Sequence, residues 1–158
     1  MLDFVDFVAK FPPVKMPVTL GEDTHHTFST ENGPLSDALI AQFIGPLEKE
    51  PIDEYTEYVP CFAIDCDEKY IALVWWKAEL LLYQYVLAIF NEKGEFIDQK
   101  MIAFTLVDGH SVKRAVCTID EELSIHIAEG TSIDDVFEPG SSLTRLMEIL
   151  PNGVIVVG

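Results

Sequence analysis

The stretch IALVWWKAELLLYQYVLAIF, residues 71–90, is as long as a membrane span and nearly as apolar. A transmembrane helix needs about 20 apolar residues with no charge near its centre, and each charge there costs on the order of 3 kcal/mol. Lys77 and Glu79 stand near the middle, Gln84 follows, and Trp75, Trp76, Tyr83 and Tyr85 lie inside the segment rather than at its ends, where interfacial aromatics belong. A pair of buried strands accommodates all of these residues. Residues 70–76 run one way, Lys77, Ala78 and Glu79 form a polar break, and residues 80–90 return. The break contains neither Gly nor Asn, so its turn type is not specified.

The signal after it is sharper. Asn91, Glu92, Lys93 and Gly94 supply the Asn and Gly that a tight hairpin needs at positive φ, between two apolar runs. Further strands are predicted at residues 57–64, 96–107, 112–119, 123–127, 142–149 and 154–157, which with the first two makes eight at most. The connectors are short clusters of Asp, Glu, Asn, Gly and Pro, and short connectors favour antiparallel neighbours. One longer connection, residues 128–140, contains Ile133, Val136 and Phe137 and has room for a helical turn.

Upstream, Phe4, Val5, Phe7, Val8 and Phe11 share a broad helical face with Leu2, and Pro12 and Pro13 stop that helix, predicted over residues 2–11. Residues 14–20 contain Pro17 and read as an irregular edge segment, and residues 21–33 as a polar loop holding His25 and His26. Ser36 is a good N-cap for a second helix over residues 37–44, with Leu39, Ile40, Phe43 and Ile44 as its apolar stripe and Gly45 and Pro46 at its end. The expected fold is α+β and mainly β: an antiparallel meander of up to eight strands, curled and barrel-like, covered by two short N-terminal helices. A chain of 158 residues fits one domain, residues 1–158, with a helical cap over residues 1–46 and the meander over residues 47–158.

The formal net charge of −17 sits in a chain that is 49% hydrophobic and 23% charged, ordinary proportions for a folded protein rather than an acidic tail. Such a charge repels nucleic-acid backbones and anionic lipid and favours basic partners, so neither nucleic acid nor a membrane surface is expected as a partner. The N-terminus MLDFVDFVAKF does not read as a signal peptide, and a cytoplasmic location is expected. Cys61, Cys66 and Cys117 form no CxxC pair and no ordered spacing with His25, His26, His110 or His126, so reduced core thiols are expected, with no metal and no cofactor.

Catalytic motifs are missing: no GxGxxG, P-loop, GxSxG or HExxH pattern occurs. Asp65, Asp67 and Glu68 resemble a calcium loop in composition only, because Tyr70 and Trp76 occupy the sixth and twelfth positions, where Gly and Glu are required. Ser111 beside His110, and Cys117, are unanchored as nucleophiles, and no catalytic residue is assigned.

Charge distribution is the remaining signal. Residues 46–69 carry eight acids against Lys49 and Lys69, and residues 120–138 carry seven acids with no Lys or Arg. Interleaved with them are Tyr55, Tyr58, Ile133, Val136 and Phe137, residues suited to anchoring a partner within a charged rim. The candidate partner-binding residues are Glu54, Tyr55, Glu57, Tyr58, Asp134, Asp135, Phe137 and Glu138. A solvated face that serves only solubility is the simpler alternative.

The order FVAKFPPVKMP, then LSDALIAQFIG, then FNEKGEFIDQK and IDEELSIHI, resembles a group of small acidic single-domain bacterial proteins of Bacteroidetes-type genomes. Proteins of this sort in turn resemble the immunity proteins of toxin systems, which implies docking on a basic toxin domain. The expected function is therefore non-enzymatic protein binding, most concretely immunity-type inhibition of a basic toxin or effector. A small-molecule-binding β-barrel and an enzyme with no recognisable motif are the alternatives.

Overall fold

The computed structural model describes residues 3–67 and 69–158. Leu2, assigned above to the first helix, and Glu68, counted among the acids of the calcium-like turn, lie outside the described residues.

In chain order the elements are helix α1 (Phe4–Val8), strand β1 (Val18–Leu20), helix α2 (His25–Glu31) and helix α3 (Asp37–Leu39), which continues as a π-helical turn (Ile40–Ile44) and a 3₁₀ turn (Gly45–Leu47). Strands β2 (Glu57–Asp65), β3 (Tyr70–Glu79), β4 (Leu82–Asn91), β5 (Phe96–Asp108), β6 (Ser111–Ile119), β7 (Ile125–Ile133), β8 (Val136–Ile149) and β9 (Ile155–Val157) follow. They form one antiparallel meander in the order β2-β3-β4-β5-β6-β7-β8-β9, with β1 paired to β6 as a ninth strand. The sheet curls without closing. Its concave core draws on every strand, from Leu20 and Val59 to Met147 and Ile155. The β8–β9 turn folds back over the far side, where a Cβ on Gly153 would stand 3.1–3.2 Å from Tyr70, Ile89 and Ile97. The Ile155 N–H also donates to Asp98 Oδ2 at 2.9 Å without making a strand pair.

The opening stretch is explained by burial on both faces. Ala72, Val74, Trp76, Tyr85, Leu87 and Ile89 point into the concave core. Leu73, Trp75, Val86, Ala88 and Phe90 point the other way, under α1 and α3. Alternation disappears when both faces of a strand are covered, and the two strands read as one apolar run. The charges inside the run are paired: Lys77 Nζ lies 2.6 Å from Glu48 Oε2 and 3.2 Å from Glu79 Oε1. No helix among the described residues is long and apolar enough to cross a membrane.

Phe7 centres the outer core. Its ring stacks on Phe43 at 4.8 Å and meets Phe11 at 5.1 Å, while Phe4 meets Phe90 at 5.1 Å. Burying one such ring is worth roughly 2–3 kcal/mol, which explains how a five-residue helix stays docked. Ser36 caps α3 as expected, its Oγ accepting from the Leu39 N–H at 3.2 Å. The Asn91 turn is also as expected: Gly94 has φ +84°, and Asn91 Oδ1 accepts from the Lys93 and Glu95 N–H groups. A side chain at 94 is excluded twice, since its Cβ would meet the Phe4 ring at 2.7 Å.

Four readings of the sequence are corrected. Residues 21–33 are not a loop, because α2 occupies His25–Glu31 and presents one buried residue, Phe28. One anchor leaves no periodicity to read, and the helix is held at its ends, by the Gly21 N–H on Thr24 Oγ1 and by Asn32 Nδ2 on the Pro60 and Cys61 carbonyls. Residues 77–79 are not a break: they pair with Gln84, Tyr83 and Leu82, and the turn is Leu80 and Leu81. The 3₁₀ turn carries the second helical segment past Gly45 and Pro46 to Leu47. Finally, residues 128–140 contain no helical turn. β7 runs on to Ile133, Asp134 and Asp135 turn the chain at φ 49° and 65°, and β8 starts at Val136. Pro139 and Gly140, which mimic a loop in the sequence, sit in a bulge of β8.

Candidate functional site

Antiparallel order puts the start of β2, the β3–β4, β5–β6 and β7–β8 turns at one end of the sheet. We call this the tip end. Both candidate segments lie there, at the turn into β2 with its first residues and on the β7–β8 hairpin, separated by the intervening strands. The hydrogen bonds between neighbouring turns hold the tip together: Val107 N–H donates to Leu81 C=O, and Asp134 N–H to His110 C=O, each at 2.9 Å.

The two runs of acids divide in space. Asp65 at the end of β2, Asp67 in the turn after it, and Asp120, Glu121 and Glu122 in the β6–β7 turn lie at the opposite end. There Asp67 Oδ1 accepts from the Lys69 and Tyr70 N–H groups, so this carboxylate serves a hairpin turn. His126 Nε2 contacts Asp120 Oδ2 at 2.8 Å, and that contact holds Asp120 below the usual carboxylate range. No cluster of His, Cys, Asp and Glu suited to a metal ion occurs among the described residues.

Glu48 and Glu129 turn inward. Glu48 accepts from the Tyr58 hydroxyl at 3.1 Å and pairs with Lys77. Glu129 is buried, with Arg145 Nη2 at 2.6 Å and Lys113 Nζ at 3.8 Å. Arg114 Nε pairs with Glu22 Oε2 at 2.9 Å. Lys77, Lys113, Arg114 and Arg145 are thus each committed to a carboxylate of this chain. Glu54, Glu57, Asp135 and Glu138 are in no salt bridge among the described residues, and Asp134 contacts only the imidazole of His110, at 3.2 Å. The field left at the tip is negative. Asp53 is held below the usual carboxylate range by the Thr56 hydroxyl first and the Tyr55 N–H second, which fixes the loop leading into β2.

Among the aromatic candidates, Tyr55 is 83% exposed and Phe137 50%, but Tyr58 only 7%. Tyr58 is a core residue, and burial with Glu48 beside it pushes its phenol pKa up. An anchor role for Tyr58 is therefore corrected to a packing role, because it lies at the β2 position opposite Lys77 and under the chain that leads from α3. Reading the sequence missed the exposed leucines of the β3–β4 turn, and it placed Val5 on the docked face of α1, where Val5 is in fact 75% exposed. Leu80 is 92% exposed, and Leu81 beside it has φ +66°. Ile133 and Val136, which the sequence did offer as anchors, are 45% and 64% exposed and flank the β7–β8 turn. A run of three leucines after a charged residue looks like strand interior, so its place at a turn tip was not legible.

Near the tip, Trp76, Tyr83, Tyr85, Phe104, Thr105 and Ala115 pack around a void of about 10 Å³. A surface groove of about 580 Å³ runs between the chain after α3 and β3–β5, floored by Tyr58, Lys77 and Gln84. His110 is exposed at its turn, and Ser111 lies opposite Asp108 and Ile133 in the sheet. Cys117 is fully buried, and burial raises its thiol to about 12. Comparison of the chain with protein-family models, with curated proteins and with solved structures returns no match.

Proposed function

We propose that this chain is a protein-binding domain whose tip end docks on a basic protein, and that its most concrete form is immunity-type inhibition of a basic toxin or effector. The observation that carries this reading is the Leu80 and Leu81 turn. A bulky residue at positive φ costs about 1–2 kcal/mol, and an apolar side chain 92% exposed contributes nothing to the core. Gly or Asn would serve a two-residue turn better on both counts. Apolar tips inside a rim of unpaired carboxylates suit an interface in which charge steers the approach and apolar anchors hold the complex.

The test begins with affinity capture from cells that make the protein, followed by surface plasmon resonance of the captured partner at two ionic strengths. Replacing Glu54, Asp134, Asp135 and Glu138 with Lys should slow association, and added salt should slow it in the unmodified protein. Leu80→Ser and Phe137→Ala should speed dissociation, since an anchor is worth about 2 kcal/mol, roughly thirtyfold in affinity. Unchanged kinetics in folded variants would return this surface to a role in solubility alone.

A further inference from the structure

Strand β8 is unusually open along one side. Its inner edge pairs with β7, but its outer edge meets β9 only at Met147, Glu148 and Ile149. One more bond prolongs that pairing, Gly158 N–H to Leu146 C=O at 2.8 Å. From residue 136 to residue 145 no strand lies on this edge among the described residues. Backbone groups alternate sides along a strand, so the outward turn of Leu146 gives Thr144 the same direction. The line of β9 thus points along an edge whose next donor and acceptor face solvent.

Such an edge invites pairing with another chain, and proteins usually block it. Here the block is partial. Pro139 and Gly140 interrupt β8, and Ser141 Oγ pins the bulge by accepting from the Thr131 N–H at 2.8 Å and donating to the Glu138 carbonyl at 2.6 Å. Beyond the bulge, residues 143–146 regain regular register with Ala128 and its neighbours, and Leu143 is half exposed. The opposite edge of the sheet is treated differently: Asn32 covers two carbonyls of β2, and the Ala63 N–H donates to the Pro12 carbonyl.

We infer that an extended Lys- or Arg-bearing segment of a protein partner adds as a strand along residues 143–145 of β8, continuing the line of β9 beyond Gly158. The inference rests on the proposed function and specifies how its partner binds. Charge decides the occupant. Arg145 is engaged with Glu129, while Glu138, Asp134 and Asp135 stand unneutralised by Lys or Arg along the same hairpin. A second copy would bring a net charge of −17 against −17, which opposes β8 pairing with itself.

The probe is a short capped peptide alternating Lys and Val, titrated into the full chain and followed by amide NMR and hydrogen exchange. Two further peptides carry N-methyl groups on the odd or on the even residues, so that each lacks the donors of one edge. Saturable shifts at residues 143–145 and new exchange protection at the outward-facing Thr144 N–H are expected, and one of the two methylated peptides should bind roughly tenfold more weakly or worse. Thr144→Pro, tolerated at an outward-facing edge position, should weaken binding similarly without changing the thermal melt. Equal binding of both methylated peptides, protection elsewhere, or no saturable change at millimolar peptide overturns the inference. So does a dimer in sedimentation that Thr144→Pro dissolves, which would give the edge to a second copy. The two readings separate: salt-sensitive binding that ignores N-methylation leaves the acidic docking surface standing and removes strand addition. Binding that needs the peptide's donors but ignores Asp134→Lys, Asp135→Lys and Glu138→Lys does the reverse.

Discussion

The ring of Phe137 lies against the backbone of Gly130 across the β7–β8 hairpin, so close that a Cβ at position 130 would stand 2.6 Å from Phe137 Cε1. The glycine is the seat of the aromatic, at the point where the β7–β8 register shifts. An exposed ring held on its own hairpin loses less freedom on binding than a free one. Gly130→Ala should displace the ring and cost about 1 kcal/mol, and the cost should vanish when Phe137 is already Ala. A double-mutant cycle by chemical denaturation measures this; equal costs in both backgrounds would show that the contact carries no energy.

The Leu80 and Leu81 tip predicts a conflict between folding and binding. Leu81→Gly removes the penalty of a side chain at positive φ and should leave the protein as stable or up to about 1 kcal/mol more stable. Leu80→Ser should change stability by no more than about 0.5 kcal/mol. Thermal melts decide the point, and a clear loss of stability in either variant would mean that the tip is structural.

His25 predicts a dependence on pH. Its ring stacks on Trp76 at 3.9 Å and 1°, Trp76 stacks in turn on Tyr83 at 6.0 Å, and His25 Nδ1 faces the Glu22 carbonyl at 2.9 Å. Burial first, and His26 second, lower its pKa from the ordinary 6.5. The unfolded chain therefore takes up this proton more readily than the native one. This contribution to stability is intact above about pH 6.5 and declines as pH falls from there toward the lowered native value. His25→Phe keeps a ring on Trp76 and cannot titrate, so its melting temperature should fall less than that of the unmodified protein between pH 7.5 and 5.5. Identical pH profiles would assign the titration elsewhere.

The cysteines predict chemical silence. Cys61 and Cys117 are fully buried, and burial raises Cys66 to about 11, Cys117 to about 12 and Cys61 further. The thiolate is the reactive form, so native protein at neutral pH should resist thiol reagents and release three equivalents only on unfolding. Replacing each with Ala should cost stability alone, on the order of 1 kcal/mol at the buried positions. Rapid labelling of Cys117 in the folded protein would contradict this placement.

How much of this was legible follows from the range of the interactions involved. Local chemistry was readable: the Asn91 and Gly94 turn, the Ser36 cap and the alternation in β6 and β7 each depend on neighbours a few residues apart. From these the sequence by itself determined a mainly β antiparallel meander covered by short N-terminal helices. Elements stabilised from a distance were not readable. α2 exists because Asn32 reaches two carbonyls of β2, and Lys77 stays in a strand because Glu48 arrives from another part of the chain. Tertiary structure alone sorted the acids, turning Glu48 and Glu129 inward, sending Asp120, Glu121 and Glu122 to the far end and leaving Glu54, Asp135 and Glu138 at the tip. It also decided that Tyr58 is core while Leu80 stands in solvent, because composition sets how much apolar surface a chain carries, whereas only the packing of strands and turns sets which of it is covered.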